Sequence, residues 1–144
     1  MINAKELRLG NIVSYKGIIG KVTWIQQDCI IIEYQRQNDL SNGSMVSPEL
    51  LDGVEITEEL LFELGFKKNG FYSLTKSVSL FDEVIKQLVF NGDYLYLQEQ
   101  YPKEPSDLIT IWNKDVKRNF YLHELQNLYL CLVQKELDTT KLFD

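Results

Sequence analysis

The sequence holds one histidine, two cysteines and three prolines in 144 residues, and each scarcity closes off a class of function. With His123 as the lone imidazole, any Ser-His-Asp triad, Cys-His pair or histidine-based metal site would have to be built on that residue. Glu124 is adjacent, but Cys131 falls roughly 80° around a helix from it, so no ligand set forms at workable spacing. Gly10, Gly17 and Gly20 lack the spacing and the strand-to-helix context of a phosphate-cradling loop. The carboxylate pairs Asp82/Glu83 and Glu58/Glu59 are neighbours in sequence, so they point apart rather than converge on a substrate. The expectation is a chain with no catalytic residue, no metal and no cofactor.

Cys29 and Cys131 each lie in an apolar run and are far apart in sequence, which reads as two buried free thiols rather than a disulfide. The longest uninterrupted apolar run, Leu128 to Val133, is far too short to cross a bilayer, and no apolar stretch follows a basic flank at the start of the sequence. The expected location is therefore the cytoplasm. Positive charge is also in short supply: 15 basic against 21 acidic residues leave a net charge of -6. That balance argues against general nucleic-acid binding, because proteins that neutralise phosphates carry a basic surface.

What remains is apolar and aromatic material, 44% and 12% of the residues. A chain of this length can bury roughly two thirds of its unfolded surface in one core. A single domain over 1-144 is expected, with 1-50 and 51-144 as alternative subdomains. The fold class is α+β. Alternation and β-branching in Leu7 to Tyr15, Lys21 to Ile25 and Cys29 to Tyr34, with Gly10, Gly17 and Gly20 at turns, predict a small curled antiparallel sheet or SH3-like half-barrel at the N-terminus. Gln37 to Pro48 and Gln98 to Asp107, the latter with Pro102 and Pro105, have loop composition.

A short helix over Ile56 to Phe66 follows, with Thr57 as its N-cap, Gly65 as its left-handed stop and Leu60, Leu61 and Leu64 as its buried stripe. Short strands at Phe71 to Leu74 and Val78 to Phe81 lead into a hairpin, Val84 to Phe90 and Asp93 to Gln98, turning on Asn91-Gly92. Period-two alternation puts Leu95 and Leu97 on one face of it and Tyr94, Tyr96 and Gln98 on the other. Leu108 to Trp112 adds a strand, completing an antiparallel meander. A C-terminal helix from Tyr121 to Leu137 packs that meander with Leu122, Leu125, Leu128, Tyr129, Leu132 and Val133.

Two groups of side chains are candidates for contact with a partner. Asp52, Glu55, Glu58, Glu59 and Glu63 form an acidic block that is either a solvated helix face or a patch for a basic groove. Tyr94, Tyr96, Tyr101 and Trp112 are candidate exposed aromatics, since such rings give much contact area for little lost entropy. Partner-binding residues are thus expected among Glu58, Glu59, Glu63, Tyr94, Tyr96 and Tyr101. A nucleic-acid-binding module on the N-terminal sheet, using Arg8, Lys16, Lys21 and Trp24, is the alternative.

Three segments carry a resemblance: Leu7-Arg8-Leu9-Gly10-Asn11-Ile12-Val13, then Ile56-Thr57-Glu58-Glu59-Leu60-Leu61 with Leu64-Gly65-Phe66, and Tyr121-Leu122-His123-Glu124-Leu125-Gln126-Asn127-Leu128-Tyr129. In this order they resemble a family of small uncharacterised proteins of Bacteroidetes genomes, prophages and mobile elements. Residues 72 to 112 depart from that pattern. The resemblance implies no enzyme activity. It implies a non-enzymatic, protein-binding accessory factor, with an anti-CRISPR inhibitor of a Cas effector ribonucleoprotein, of the RNA-guided, RNA-cleaving kind, as its sharpest form.

Overall fold

The computed structural model describes residues 2–34, 43–69, 73–79, 85–100, 107–115, 117 and 119–143. They form an α+β fold of two antiparallel sheets and two α-helices, divided between two compact units. One comprises Met1–Ile56, Tyr121–Leu128 and Phe143–Asp144, the other Thr57–Phe120 and Tyr129–Leu142.

In the first unit, β1 (Ile12–Tyr15), β2 (Ile18–Ile25), β3 (Ile30–Glu33) and β4 (Gly43–Val46) pair in sequence order. Tyr15 and Ile18 are paired across Lys16 and Gly17, both at positive φ (51° and 78°), the two-residue loop whose twist suits a hairpin. Val13, Val22, Ile30, Ile32 and Val46 face inward with Ile2, Leu7 and Leu51. A 3-10 turn at Pro48–Leu50 then returns the chain to β1, where Ser14 and Asp52 exchange backbone hydrogen bonds of 2.9 and 2.8 Å. This isolated bridge continues the pairing beyond β1 without closing a barrel. β4 occupies part of the stretch expected to be loop. Its polar residues conceal a strand whose Met45 and Val46 are set by pairing with Ile31 and Ile30.

The N-terminal half of α2 (Leu122–Val133) is held to the start of β1 by carboxamides. Gln126, 2% exposed, accepts from the Ile12 amide through Oε1 at 2.7 Å and donates from Nε2 to the Gly10 carbonyl at 3.0 Å. Its side chain satisfies the backbone groups that a further strand would otherwise meet. Asn11, fully buried, accepts from the Arg8 amide and donates to Asn127 Oδ1, while Asn127 donates to the Glu6 carbonyl. Arg8 donates from its guanidinium to the Gln126 carbonyl at 3.1 Å.

At the start of α2, Glu124 accepts from the Tyr121 amide at 2.8 Å, half of a capping box, and the Leu122 amide donates to the Val54 carbonyl. Gly53 is required by close approach, because a Cβ there would collide with the Tyr121 ring. His123 is buried, stacked on Tyr121, with Nε2 3.7 Å from a Glu6 carboxylate oxygen.

In the second unit, α1 (Glu58–Glu63) is the short helix expected between the Thr57 cap and the Gly65 stop. Thr57 Oγ1 accepts from the Leu60 amide at 3.1 Å. Gly65, at φ 90°, lets the Phe66 and Gly65 amides reach the Leu61 and Phe62 carbonyls, a Schellman stop. The sheet runs β5 (Lys67–Asn69), β6 (Ser73–Ser77), β7 (Ile85–Phe90), β8 (Tyr94–Gln100), β9 (Asp107–Asn113), in sequence order. β6 takes in Ser73 and Leu74 of the first short strand expected there, while Val78 and Ser79, expected to open the second, follow it outside any strand. Of those expectations, Phe71, Tyr72, Leu80 and Phe81 lie outside the described residues.

The β7–β8 hairpin forms, but its two loop residues are Gly92 and Asp93, one position later than expected. The Asn91 amide donates to the Tyr94 carbonyl, while the Asn91 side chain accepts from the Asp93 and Tyr94 amides and so draws Asn91 into the ladder. One face of the sheet carries the apolar row Leu74, Phe90, Leu95, Trp112 and, beside it, Leu88, Leu97 and Ile109.

Lys76 belongs to this apolar face. Its ammonium reaches the Leu64 carbonyl at the end of α1 (2.9 Å) and lies 5.7 Å from the Tyr129 ring centroid. Burial pushes its pKa below the ordinary lysine value, nearby Asp138 partly offsets this, and Lys67 adds to it. α2 ends four residues before the expected Leu137, where Gln134 turns to φ 61°. Cys131, expected to be buried, is exposed, because the buried stripe of α2 runs through Leu122, His123, Leu125 and Gln126 instead.

Replacing Gln126 with Leu keeps the bulk but strands the Ile12 amide and the Gly10 carbonyl. The expected loss is about 3 kcal/mol in urea unfolding, with Asn127→Ala costing less because that residue is only half-buried. A second expectation concerns Asp138, whose carboxyl is held below the usual range by hydrogen bonds from the Thr140 amide and then the Thr140 hydroxyl. With the folded pKa depressed, its stabilising contribution is complete above the ordinary carboxylate pKa and is lost as pH falls through the folded value. In a carbon-detected NMR titration, Thr140→Val should raise the Asp138 midpoint yet leave it depressed, since the backbone bond survives.

Candidate functional site

Pairing register assembles a second face on the sheet of the second unit, opposite its apolar rows. Thr75, Val89, Tyr96 and Thr110 are directly opposed across β6, β7, β8 and β9, as are Ser77, Gln87, Gln98 and Leu108. Tyr94 opposes Asn113 at the end of the next row. Between β6 and β9 no member of these rows is charged, although a quarter of the whole chain is (25%); the first row ends in Lys67 of β5, directly opposite Thr75. The ion pair Lys86–Glu99 lies on the other face by alternation, at 3.5 Å.

Tyr94 and Tyr96 are both half-buried, and two-residue spacing puts their rings side by side, 5.5 Å apart and 16° from parallel. Stacking fixes the rotamers before any partner arrives, so little side-chain entropy remains to be lost on contact. Gln87 and Gln98 present amide donors and acceptors beside the rings, and Leu108 adds an apolar corner at 62% exposure. The combination of fixed aromatic area, neutral hydrogen-bonding groups and absent charge is what the centre of a protein interface requires.

Sequence reasoning named Tyr94 and Tyr96 and placed them on the face opposite Leu95 and Leu97, which are buried. It also placed Gln98 there, but it did not name Thr75, Gln87 and Thr110 as partners in that face, though uncharged residues at alternating positions of successive strands were the available signal. Trp112, expected to be exposed, is buried at 8% exposure, its Nε1 donating to the Lys117 carbonyl at 2.8 Å. The cause is a bulge between β8 and β9. Tyr96 opposes Thr110 while Leu95 opposes Trp112, so Ile111 is the extra residue and Trp112 turns to the apolar face. Tyr101 lies outside the described residues.

Glu58, Glu59 and Glu63 are all exposed on α1, with Glu59 and Glu63 one turn apart and Phe62 exposed beside them. Glu58 and Lys68 form an ion pair at 3.6 Å with both side chains more than half exposed, an arrangement worth little in stability. Of the four residues considered for nucleic acid, Arg8 is engaged with the Leu9 and Gln126 carbonyls, and Lys16 lies over the Tyr15 ring at 5.2 Å. Lys21 is directly opposed by Glu33. Trp24 is exposed because Thr23 is absorbed in a bulge; it aligns outward with Ile31 and Met45 in an apolar row. These four do not make one basic groove.

Among the described residues no cluster of three or more His, Cys, Asp or Glu is placed to hold a metal ion, and no helix is long and apolar enough to cross a membrane. No family model matches this chain, and no curated protein and no solved structure matches it either.

Proposed function

We propose that the chain is a non-enzymatic protein-binding factor whose contact surface is the uncharged β6–β9 part of one face of the second sheet, centred on Tyr94 and Tyr96. The observation that carries this reading is the absence of charge from two aligned rows spanning β6 to β9 and from the Tyr94–Asn113 pair beside them, in a chain a quarter of whose residues are charged. Uncharged, tyrosine-centred and rigid surface is what a partner can desolvate at low cost, whereas an exposed lysine or glutamate would have to be paired or left buried and unpaired. Glu58, Glu59 and Glu63 of α1 would act at longer range, raising the rate of encounter with a basic partner rather than the strength of the contact.

The resemblance of the three quoted segments to prophage and mobile-element proteins supports placing the factor in that setting, where the partner would belong to the host. Inhibition of a CRISPR effector is the specific form of the proposal. It requires no chemistry, only occlusion of a surface the effector needs.

Capture from lysate of a bacterium carrying the element, followed by quantitative mass spectrometry, tests the site. Tyr96→Ala should cost about 2 kcal/mol of binding, roughly thirtyfold in affinity for the captured partner, with little change in melting temperature. Equal capture by the wild-type chain and Tyr96→Ala would reject the face as the contact surface. Plaque formation on a CRISPR-immune host expressing the chain tests the specific form. It should rise, and unchanged immunity against every effector type of that host would reject that form alone.

A further inference from the structure

Three Asn-Gly dipeptides occur in the sequence, Asn42-Gly43, Asn69-Gly70 and Asn91-Gly92, and in the first two one member lies outside the described residues. Asn91-Gly92, at the tip of the β7–β8 hairpin, is described in full, and both residues are exposed. In an ordinary two-residue hairpin the main-chain carbonyl of the first residue accepts from the amide of the fourth, and that bond holds the peptide unit after the first residue in place. Here the Tyr94 amide donates instead to Asn91 Oδ1 at 2.9 Å, and the Asp93 amide joins it there at 3.2 Å. Among the described residues nothing donates to the Asn91 carbonyl and nothing accepts from the Gly92 amide. The peptide unit between Asn91 and Gly92 is therefore able to rotate without breaking a hydrogen bond.

We propose that Asn91 is a site of self-modification, in which the Gly92 amide nitrogen closes onto the Asn91 side-chain carbonyl carbon and ammonia is lost. Closure needs that nitrogen to swing toward Cγ, and rotation of the unbonded peptide unit supplies the movement. Gly92 has no Cβ to obstruct it, and nothing lies within 4 Å of where one would be. As hydroxide removes the Gly92 amide proton, the nitrogen's electron pair forms the new N–Cγ bond and the π pair of the side-chain carbonyl moves onto Oδ1. The Asp93 and Tyr94 amides already donate to that oxygen, so they stabilise the negative charge as it develops. Collapse of the tetrahedral carbon breaks the Cγ–Nδ2 bond, and Nδ2 takes a proton from water and leaves as ammonia. Water then adds to one of the two carbonyls of the cyclic imide and opens it to aspartate or isoaspartate.

Either product carries a carboxylate where a neutral amide stood. Asn91 follows the Phe90–Leu95 pair in register and its amide donates to the Tyr94 carbonyl, so by alternation it shares a face with Tyr94 and Asn113. The reaction thus writes a negative charge into that uncharged row. In isoaspartate, Oδ1 becomes the carbonyl oxygen of the main chain itself. This inference stands apart from the proposed function, since it rests on the hydrogen bonds of the turn and not on any partner.

Timed incubation of the full chain in mildly alkaline buffer, folded and in urea, followed by trypsin digestion and mass spectrometry, tests it. Asn91 is the only asparagine between Lys86 and Lys103, so the peptide that holds it reports on this site alone. That peptide should gain the mass difference between an amide and an acid, and electron-transfer fragmentation should show isoaspartate at position 91. A reaction that had to wait for global unfolding would run at least roughly a thousandfold more slowly in the folded chain than in urea. Reaction through the turn should instead proceed in the folded chain within about tenfold of the rate in urea. An Asn91 that stays an amide in the folded chain while converting in urea overturns the proposal. So does conversion in the folded chain that is slowed as far as global unfolding requires.

Discussion

The carboxamide of Gln126 replaces a missing strand. Where β1 begins, the Ile12 amide and the Gly10 carbonyl would face the side of α2 without partners, and one side chain satisfies both. Asn11, Asn127 and Arg8 extend the same network to the Arg8 amide and the Glu6 and Gln126 carbonyls. Buried polar groups of this kind are costly when one partner is missing, so the first unit has one arrangement in which N-terminal residues and helix satisfy each other. Tyr121, lying on Gly53 and capped by Glu124, fixes where that helix starts.

This network joins two segments that stand at opposite ends of the sequence. Leu7 to Val13 and Tyr121 to Tyr129 contain Arg8, Gly10, Asn11, Ile12, Gln126 and Asn127, the members of one hydrogen-bonded set. The third, Ile56 to Phe66, contains the Thr57 cap and the Gly65 stop of α1. All three therefore describe how the chain folds. The surface proposed for recognition lies in β6 to β9, outside all three.

Local physics was legible in the sequence and register was not. Thr57, Gly65 and the β7–β8 hairpin were readable because each acts within a few residues, and the alternation of Tyr94 to Gln98 correctly separated tyrosines from leucines. The hairpin turn slipped by one because Asn91 uses its side chain to accept two amides. Trp112 was obscured by a bulge, whereas Trp24 is exposed, as the nucleic-acid alternative required. Strict alternation would turn Trp24 inward with Val22, but the extra residue Thr23 sends it outward, and the extra residue Ile111 turns Trp112 inward. β4 and β5 were hidden because their polar residues become strand only through pairing. The uncharged face required the register of four strands at once, and Gln126 required knowledge of a contact across most of the chain.

If the Gln126 carboxamide governs the first unit, the Ile12 amide should be among its slowest to exchange with solvent. Native-state hydrogen exchange by NMR measures this directly. The account predicts that the Ile12 amide exchanges only through global opening, with the protection of the Val22 amide inside the sheet. Exchange of the Ile12 amide as fast as that of the exposed Asp93 turn amide, in a sheet that otherwise stays protected, would contradict it.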